Sequence, residues 1–113
     1  VLEFFTTTCR YCQQEVRELQ AVRDMFGSRI AILSIATAGS GDNLASVAGF
    51  AESYQVTWPI GVDAGTGTAL YNTSRLGVPL IYLLDAKGEV RKYFIGLTQA
   101  EKLSSEISSI LGT

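Results

Sequence analysis

Cys9 and Cys12 are the only cysteines in this chain of 113 residues, and they stand in the stretch EFFTTTCRYC with two residues between them. Such a pair could be a redox couple, half of a metal site or a short structural bridge. Glu3 sits in the apolar run VLEFF just ahead of them, an odd place for an ionisable group. The chain has no histidine. That excludes Ser-His and Cys-His catalysis and every zinc or copper site that needs imidazole. Two thiolates alone leave a tetrahedral zinc site half filled unless a second copy completes it.

The local setting gives the pair a chemistry. VLEFF reads as a strand buried on both faces. Helical spacing follows the cysteines: Val16, Leu19, Val22 and Phe26 recur every three or four residues, with Glu15, Arg17, Glu18 and Arg23 between them and Gly27 placed to end the helix. Cys9 therefore stands where a strand passes into a helix. The unpaired N–H groups and the macrodipole at that end favour an anion, so Cys9 should ionise more readily than a free thiol. Arg10 adds a positive charge beside it. Cys12 lies one turn further on the same side, near disulfide range, and a bond closed over so short a loop is readily opened by an attacking thiolate. Cys9 can then attack a partner's disulfide and Cys12 can resolve the mixed intermediate.

The remaining elements must position these groups. RIAILSIAT is a second buried strand, which makes a βαβ unit with parallel strands. AGSGD is a loop, with Asp42 the expected N-cap of a helix through Leu44, Val47, Phe50 and Ala51 to about Tyr54. VTWPIGVD is irregular or briefly extended, Trp58 is expected to pack in core or loop, and TGTALYN adds a short helical turn. LIYLLDAKGEVRKYFIG reads as a hairpin turning at Asp85, Lys87 and Gly88. Thr98 and Glu101 suggest a capping box for a last helix whose apolar face is Leu103, Ile107, Ile110 and Leu111. The expected class is α/β, a mixed central sheet flanked by helices on both faces.

Composition narrows the partners. The chain is 47% hydrophobic and 18% charged, a globular balance that suits one domain over 1–113. Nine basic and eleven acidic residues leave a net charge of −2 without any basic run, which argues against nucleic acid or anionic membrane. No apolar stretch approaches the roughly 18 residues of a membrane span. The chain starts without Met inside a strand, so an N-terminal part is expected to be missing, and a signal peptide or anchor could lie there.

The C-x-x-C between strand and helix, followed by LGVPLIYLLDAKGEV, resembles the thioredoxin superfamily over essentially the whole chain. The resemblance implies the thioredoxin fold and a cis proline, Pro79, beside the cysteines, with the Val78 backbone offered to a bound polypeptide. The region of about 38–70, with an extra helix and YQVTWPIGVD, is similar to the insert of TlpA-like extracytoplasmic thiol-disulfide oxidoreductases. Glu3 falls six residues before Cys9, where thioredoxins carry a buried acid that relays a proton to the second cysteine. Burial there would raise its pKa; the alternative is a strand residue facing solvent. Thr8 replaces the tryptophan that many members carry before the first cysteine.

The function these readings imply is thiol-disulfide exchange with protein disulfides, as a reductant. Cys9 would be the nucleophile, Cys12 the resolving thiol, Glu3 the proton relay, and Val78, Pro79, Arg10 and Tyr11 the contacts to substrate. No metal or cofactor is expected beyond the Cys9–Cys12 disulfide. The partners would be disulfide- or dithiol-containing proteins and an upstream thiol donor, the chain a monomer, and its compartment extracytoplasmic, with the cytoplasm as the alternative. A thiol peroxidase is the competing enzyme, since Thr6 precedes Cys9 by three residues, although Leu2 stands where peroxiredoxins have proline. A metal carrier of the same fold is a third reading, weakened by the missing histidine.

Overall fold

β1 (Leu2–Phe5) is the middle strand of a five-stranded sheet with spatial order β3-β2-β1-β4-β5 in the computed structural model, which describes residues 1–71 and 73–112. It pairs in parallel with β2 (Leu33–Ala36) and antiparallel with β4 (Leu80–Leu84). A strand with neighbours on both sides, buried front and back, has no wet face, which is why VLEFF shows no polar alternation.

The parallel pairing of β1 and β2 requires a crossover, and α1 (Arg10–Phe26) supplies it. Its buried stripe is Cys12, Glu15, Val16, Leu19, Val22 and Phe26. Gly27 ends the helix with φ 56°, a left-handed conformation that a side chain would resist, and its N–H returns to the Arg23 carbonyl. A 3-10 turn, Gly27–Arg29, leads on toward β2.

After β2 the chain forms α2 (Leu44–Tyr54) and then β3 (Ile60–Val62), which extends the sheet in parallel beside β2. The VTWPIGVD stretch thus contains a true edge strand. Asp42 is not the N-cap of α2. Asn43 takes that place, accepting from Ser46 N at 2.9 Å while Ser46 Oγ accepts from Asn43 N. Asn43 is the residue with extended backbone immediately before the first helical turn, so its side chain reaches the free N–H groups and that of Asp42 turns elsewhere.

α3 (Thr66–Leu70) realises the helical turn of TGTALYN, whose Asn72 lies outside the described residues, and α4 (Thr73–Leu76) follows. β4 and β5 (Val90–Ile95) form the hairpin, closed where Asp85 Oδ1 accepts from Lys87 N and Glu89 N. α5 (Ala100–Leu111) completes the chain.

Helices cover both faces. Leu19, Val22, Phe50, Leu103 and Ile107 pack with Phe5, Ile81 and Leu83 in the larger core, while Tyr71 and Leu76 lie against Phe4, Leu80 and Tyr82 on the other side. Among the described residues no helix is long and apolar enough to cross a membrane.

The expected capping box of α5 does not form. Gln99 is the N-cap and makes no side-chain bond to the helix, and the Thr98 hydroxyl donates to the Gly96 carbonyl instead. An acid of α1 does that work from outside the helix: Glu18 Oε1 accepts from Ala100 N at 2.9 Å, while Glu15 Oε1 accepts from Thr98 N, just before the cap, at 2.8 Å.

Candidate functional site

The strand β1 ends at Phe5, and residues 6–8 turn the chain into α1. Cys9 is the N-cap of that helix, with extended backbone (φ −77°, ψ 115°). Its sulfur accepts from Cys12 N at 3.1 Å, so Sγ occupies the place that a Ser or Asp oxygen takes at other helix starts. No acidic side chain stands in the first turn to oppose a thiolate there. Cys9 and Cys12 are joined as a disulfide with Cα atoms 5.1 Å apart. Cys12 is fully buried and Cys9 only partly, so of the two residues Cys9 is the more accessible.

The Val78–Pro79 peptide is cis, and the Val78 carbonyl oxygen lies 3.9 Å from Cys9 Sγ. Pro79 is buried, and its carbonyl accepts from Gly96 N at 2.8 Å, which ties the proline to the hairpin. Arg10 and Tyr11 are exposed at the same end of α1, Tyr11 by 58%. From Arg10 a groove of about 760 Å³ runs along α1, lined also by Gln13, Gln14, Arg17, Tyr54 and Leu97.

Glu3 is 2% exposed, so it is not a solvent-facing strand residue. Its cross-strand partners are Ser34 and Ile81, and Ile81 belongs to the core that holds Cys12, so Glu3 points to the α1 side of the sheet. Ser34 Oγ donates to Glu3 Oε1 at 2.7 Å, and Trp58 Nε1 donates to Ser34 Oγ at 2.9 Å. The other carboxyl oxygen, Oε2, is buried without a partner. Desolvation pushes the Glu3 pKa up to about 7, against the lowering effect of the Ser34 bond.

A second buried acid escaped the sequence reading. Glu15, counted there among the polar positions between apolar ones, is fully buried one turn after Cys12. Its pKa is pushed up to about 8, first by desolvation, with the Thr98 backbone bond opposing and the charges of Glu3 and Glu18 adding to the rise. Its Oε2 is also unpartnered. The available signal was spacing: Cys12, Glu15, Leu19 and Val22 fall at steps of three and four on one stripe. Among the described residues no group of three or more His, Cys, Asp or Glu side chains converges as a metal site.

A buried disulfide partner, a partly exposed cysteine on a helix N-terminus and a neighbouring cis proline, set on this sheet order, define a thioredoxin-fold dithiol-disulfide protein. The sequence profile of the AhpC/TSA family matches residues 1–93, and the chain belongs to that family. It is 24% identical over 107 residues to the thioredoxin-like protein YneN of Bacillus subtilis, a match covering 95% of this chain and 62% of that protein. It is 29% identical over 104 residues to sporulation thiol-disulfide oxidoreductase A of the same organism, covering 91% of this chain and 62% of that one. The chain thus spans about three fifths of the length of these curated relatives. Among solved structures, StoA from Bacillus subtilis is similar with a TM-score of 0.74 and 28% identity, over 92% of this chain and 78% of that chain. A thiol-disulfide isomerase from Corynebacterium glutamicum has the same fold with a TM-score of 0.85 at 20% identity, over 99% of this chain and 79% of that one.

Proposed function

We propose that this protein is a thiol-disulfide oxidoreductase that reduces disulfides of other proteins. The observation that carries the reading is the Cys9 sulfur on the N-terminus of α1, accepting from Cys12 N, with the Val78 carbonyl beside it. In the reduced state Cys9 is the thiolate nucleophile. It attacks one sulfur of the partner's disulfide, that S–S bond breaks, and the released partner thiolate takes a proton from solvent. Cys12 is the resolving thiol. Its proton passes to Glu3, the relay, and its thiolate displaces the second partner sulfur from Cys9. Two electrons have then moved to the partner, and the Cys9–Cys12 disulfide remains until an upstream dithiol donor of the same exchange chemistry reduces it.

Glu3 suits the relay because its folded pKa lies near neutrality and one of its oxygens is unbonded. Val78 and Pro79 would receive the partner as an added strand segment, and Arg10 and Tyr11 would flank it. No further cofactor enters this cycle. The protein would act as a monomer outside the cytoplasm, where partner disulfides persist.

Insulin reduction with dithiothreitol as donor tests the reading. The protein should accelerate it, and Cys9→Ser and Cys12→Ser should each abolish the gain. Cys12→Ser should accumulate a mixed disulfide on non-reducing gels, and Cys9→Ser should not. Equal trapping by both variants would reject the assigned roles. Consumption of hydrogen peroxide without insulin reduction would replace this function with that of a thiol peroxidase.

A further inference from the structure

The carboxylate freed from the N-cap of α2 has another task. Asp42 Oδ2 accepts from Thr7 N at 3.1 Å, and Asp42 Oδ1 accepts from the Thr7 hydroxyl. On its other side the Thr7 carbonyl accepts from Gln13 Nε2 at 3.1 Å. Every hydrogen-bonding group of Thr7 is therefore engaged, and both donors go to one carboxylate 35 residues away in the chain. Ser46 Oγ, in the first turn of α2, donates to the same Asp42 Oδ1 at 2.9 Å, which fixes the carboxylate to the insert. Desolvation is the largest single influence on Asp42 and raises its pKa, but the bonds from Thr7, Ser46 and Ser40 together hold it below the usual carboxylate range.

Thr7 lies two residues before Cys9. The turn between them is closed by a single long backbone bond, Cys9 N to Thr6 O at 3.3 Å, too weak to fix its shape alone. We propose that Asp42 is a positioning residue for Cys9: by holding both donors of Thr7 it sets the 6–8 turn so that the Cys9 sulfur stays on the N-terminus of α1. The insert thereby takes part in thiol activation without touching sulfur. When the turn is loosened, Cys9 Sγ spends time away from Cys12 N, and the thiolate loses the donor and the dipole that stabilise it.

The direction of the effect separates this role from simple charge. A nearby carboxylate opposes a thiolate through space, so removing it would lower the Cys9 pKa. Removing a positioning bond would raise it. The other titratable or charged groups near this end of α1 are Arg10, Glu3 and Glu15; they are the same in every variant, and Glu3 and Glu15 are largely protonated at pH 6.

The test is the rate of iodoacetamide labelling of Cys9, mapped by peptide mass, across pH in the reduced full chain. Asp42→Ala should move the profile to higher pH and slow labelling at pH 6 by about 3- to 10-fold, the equivalent of half to one pH unit. Thr7→Val, which keeps the Asp42 charge, should shift it in the same direction by less, and Thr7→Ser should restore it. The double variant Asp42→Ala, Thr7→Val should be no slower than Asp42→Ala alone, because both remove the same contact. A profile unmoved in Asp42→Ala, or moved to lower pH, overturns the proposal. If Asp42→Ala does not fold by circular dichroism, the comparison of Thr7→Val with Thr7→Ser decides. The inference rests on Cys9 being the attacking thiol, but its readout needs no protein substrate. A failure of insulin reduction with an intact Asp42-dependent profile would reject the proposed function and leave the tether standing.

Discussion

Glu3 has one hydrogen bond and one buried, unpaired oxygen, too little to support a full negative charge. A carboxyl whose folded pKa exceeds its unfolded value costs nothing below that unfolded value, where both states are protonated. The cost grows as pH rises toward the folded pKa and is constant above it. For Glu3 the window runs from 4.5 to about 7, and the full cost is up to about 3 kcal/mol. Glu3→Gln should therefore gain stability relative to the parent between pH 4.5 and 7, measured by urea unfolding at several pH values. A parallel pH dependence in both proteins would show that Glu3 is ionised at no cost. The same variant should slow insulin reduction if Glu3 is the proposed proton acceptor of Cys12. It should also bring the Glu15 titration down from about 8, because the Glu3 charge contributes to that rise. Glu3 stood out in the apolar run VLEFF, but its burial was implied only by the thioredoxin resemblance, since strand alternation left a solvent-facing position open. Glu15 did not stand out, because an acid in a helix that also carries Arg17, Glu18 and Arg23 looks like part of the wet face until the stripe through Cys12 is drawn.

At the scale of elements, α1 and α5 are linked end to side. The N-terminal N–H groups of a helix need acceptors, and here Glu18 of α1 supplies one for Ala100 N, while Glu15 accepts from Thr98 N just ahead of the helix. Glu18→Ala should cost about 1 kcal/mol in urea unfolding, the usual cost of a lost cap. Glu101→Ala, which the T-x-x-E pattern marks as equally important, should stay within about 0.5 kcal/mol of the parent. The reverse order of these two would return the cap to the local box. The long helices α1, α2 and α5 and the hairpin were readable because period and turn residues are local signals, whereas the single turn α4 was not. The caps of α2 and α5 were not, since several neighbouring polar residues can serve and backbone geometry selects among them. At α2 it selected Asn43 over Asp42.

At the scale of the whole molecule, the stretch from α2 to β3 is built into the core. Phe50 of α2 stacks near Phe5 of β1, ring centroids 4.9 Å apart, and Trp58 before β3 reaches inward to Ser34 and so to Glu3. Phe50→Ala should destabilise the protein by about 3–5 kcal/mol, as truncation of a buried aromatic does, measured by thermal or urea unfolding. A loss below about 1 kcal/mol would mean that α2 is a surface addition rather than part of the fold.

The cysteine spacing, the buried strand before it and the amphipathic helix after it were enough to suggest the proposed redox chemistry, because sulfur reactivity at a helix start depends on neighbours within one turn. The same is true of the hairpin after Pro79, whose turn residues Asp85, Lys87 and Gly88 are contiguous. What the tertiary structure decided are the contacts between residues far apart in the chain. Ser34 bonds Glu3 and is itself held by Trp58, Glu18 caps α5 while Glu15 holds Thr98 just before it, and Asp42 holds Thr7 two residues before Cys9. Each is a polar group whose bonding partner depends on how the sheet and helices pack, and no local pattern of apolar and polar residues records that choice.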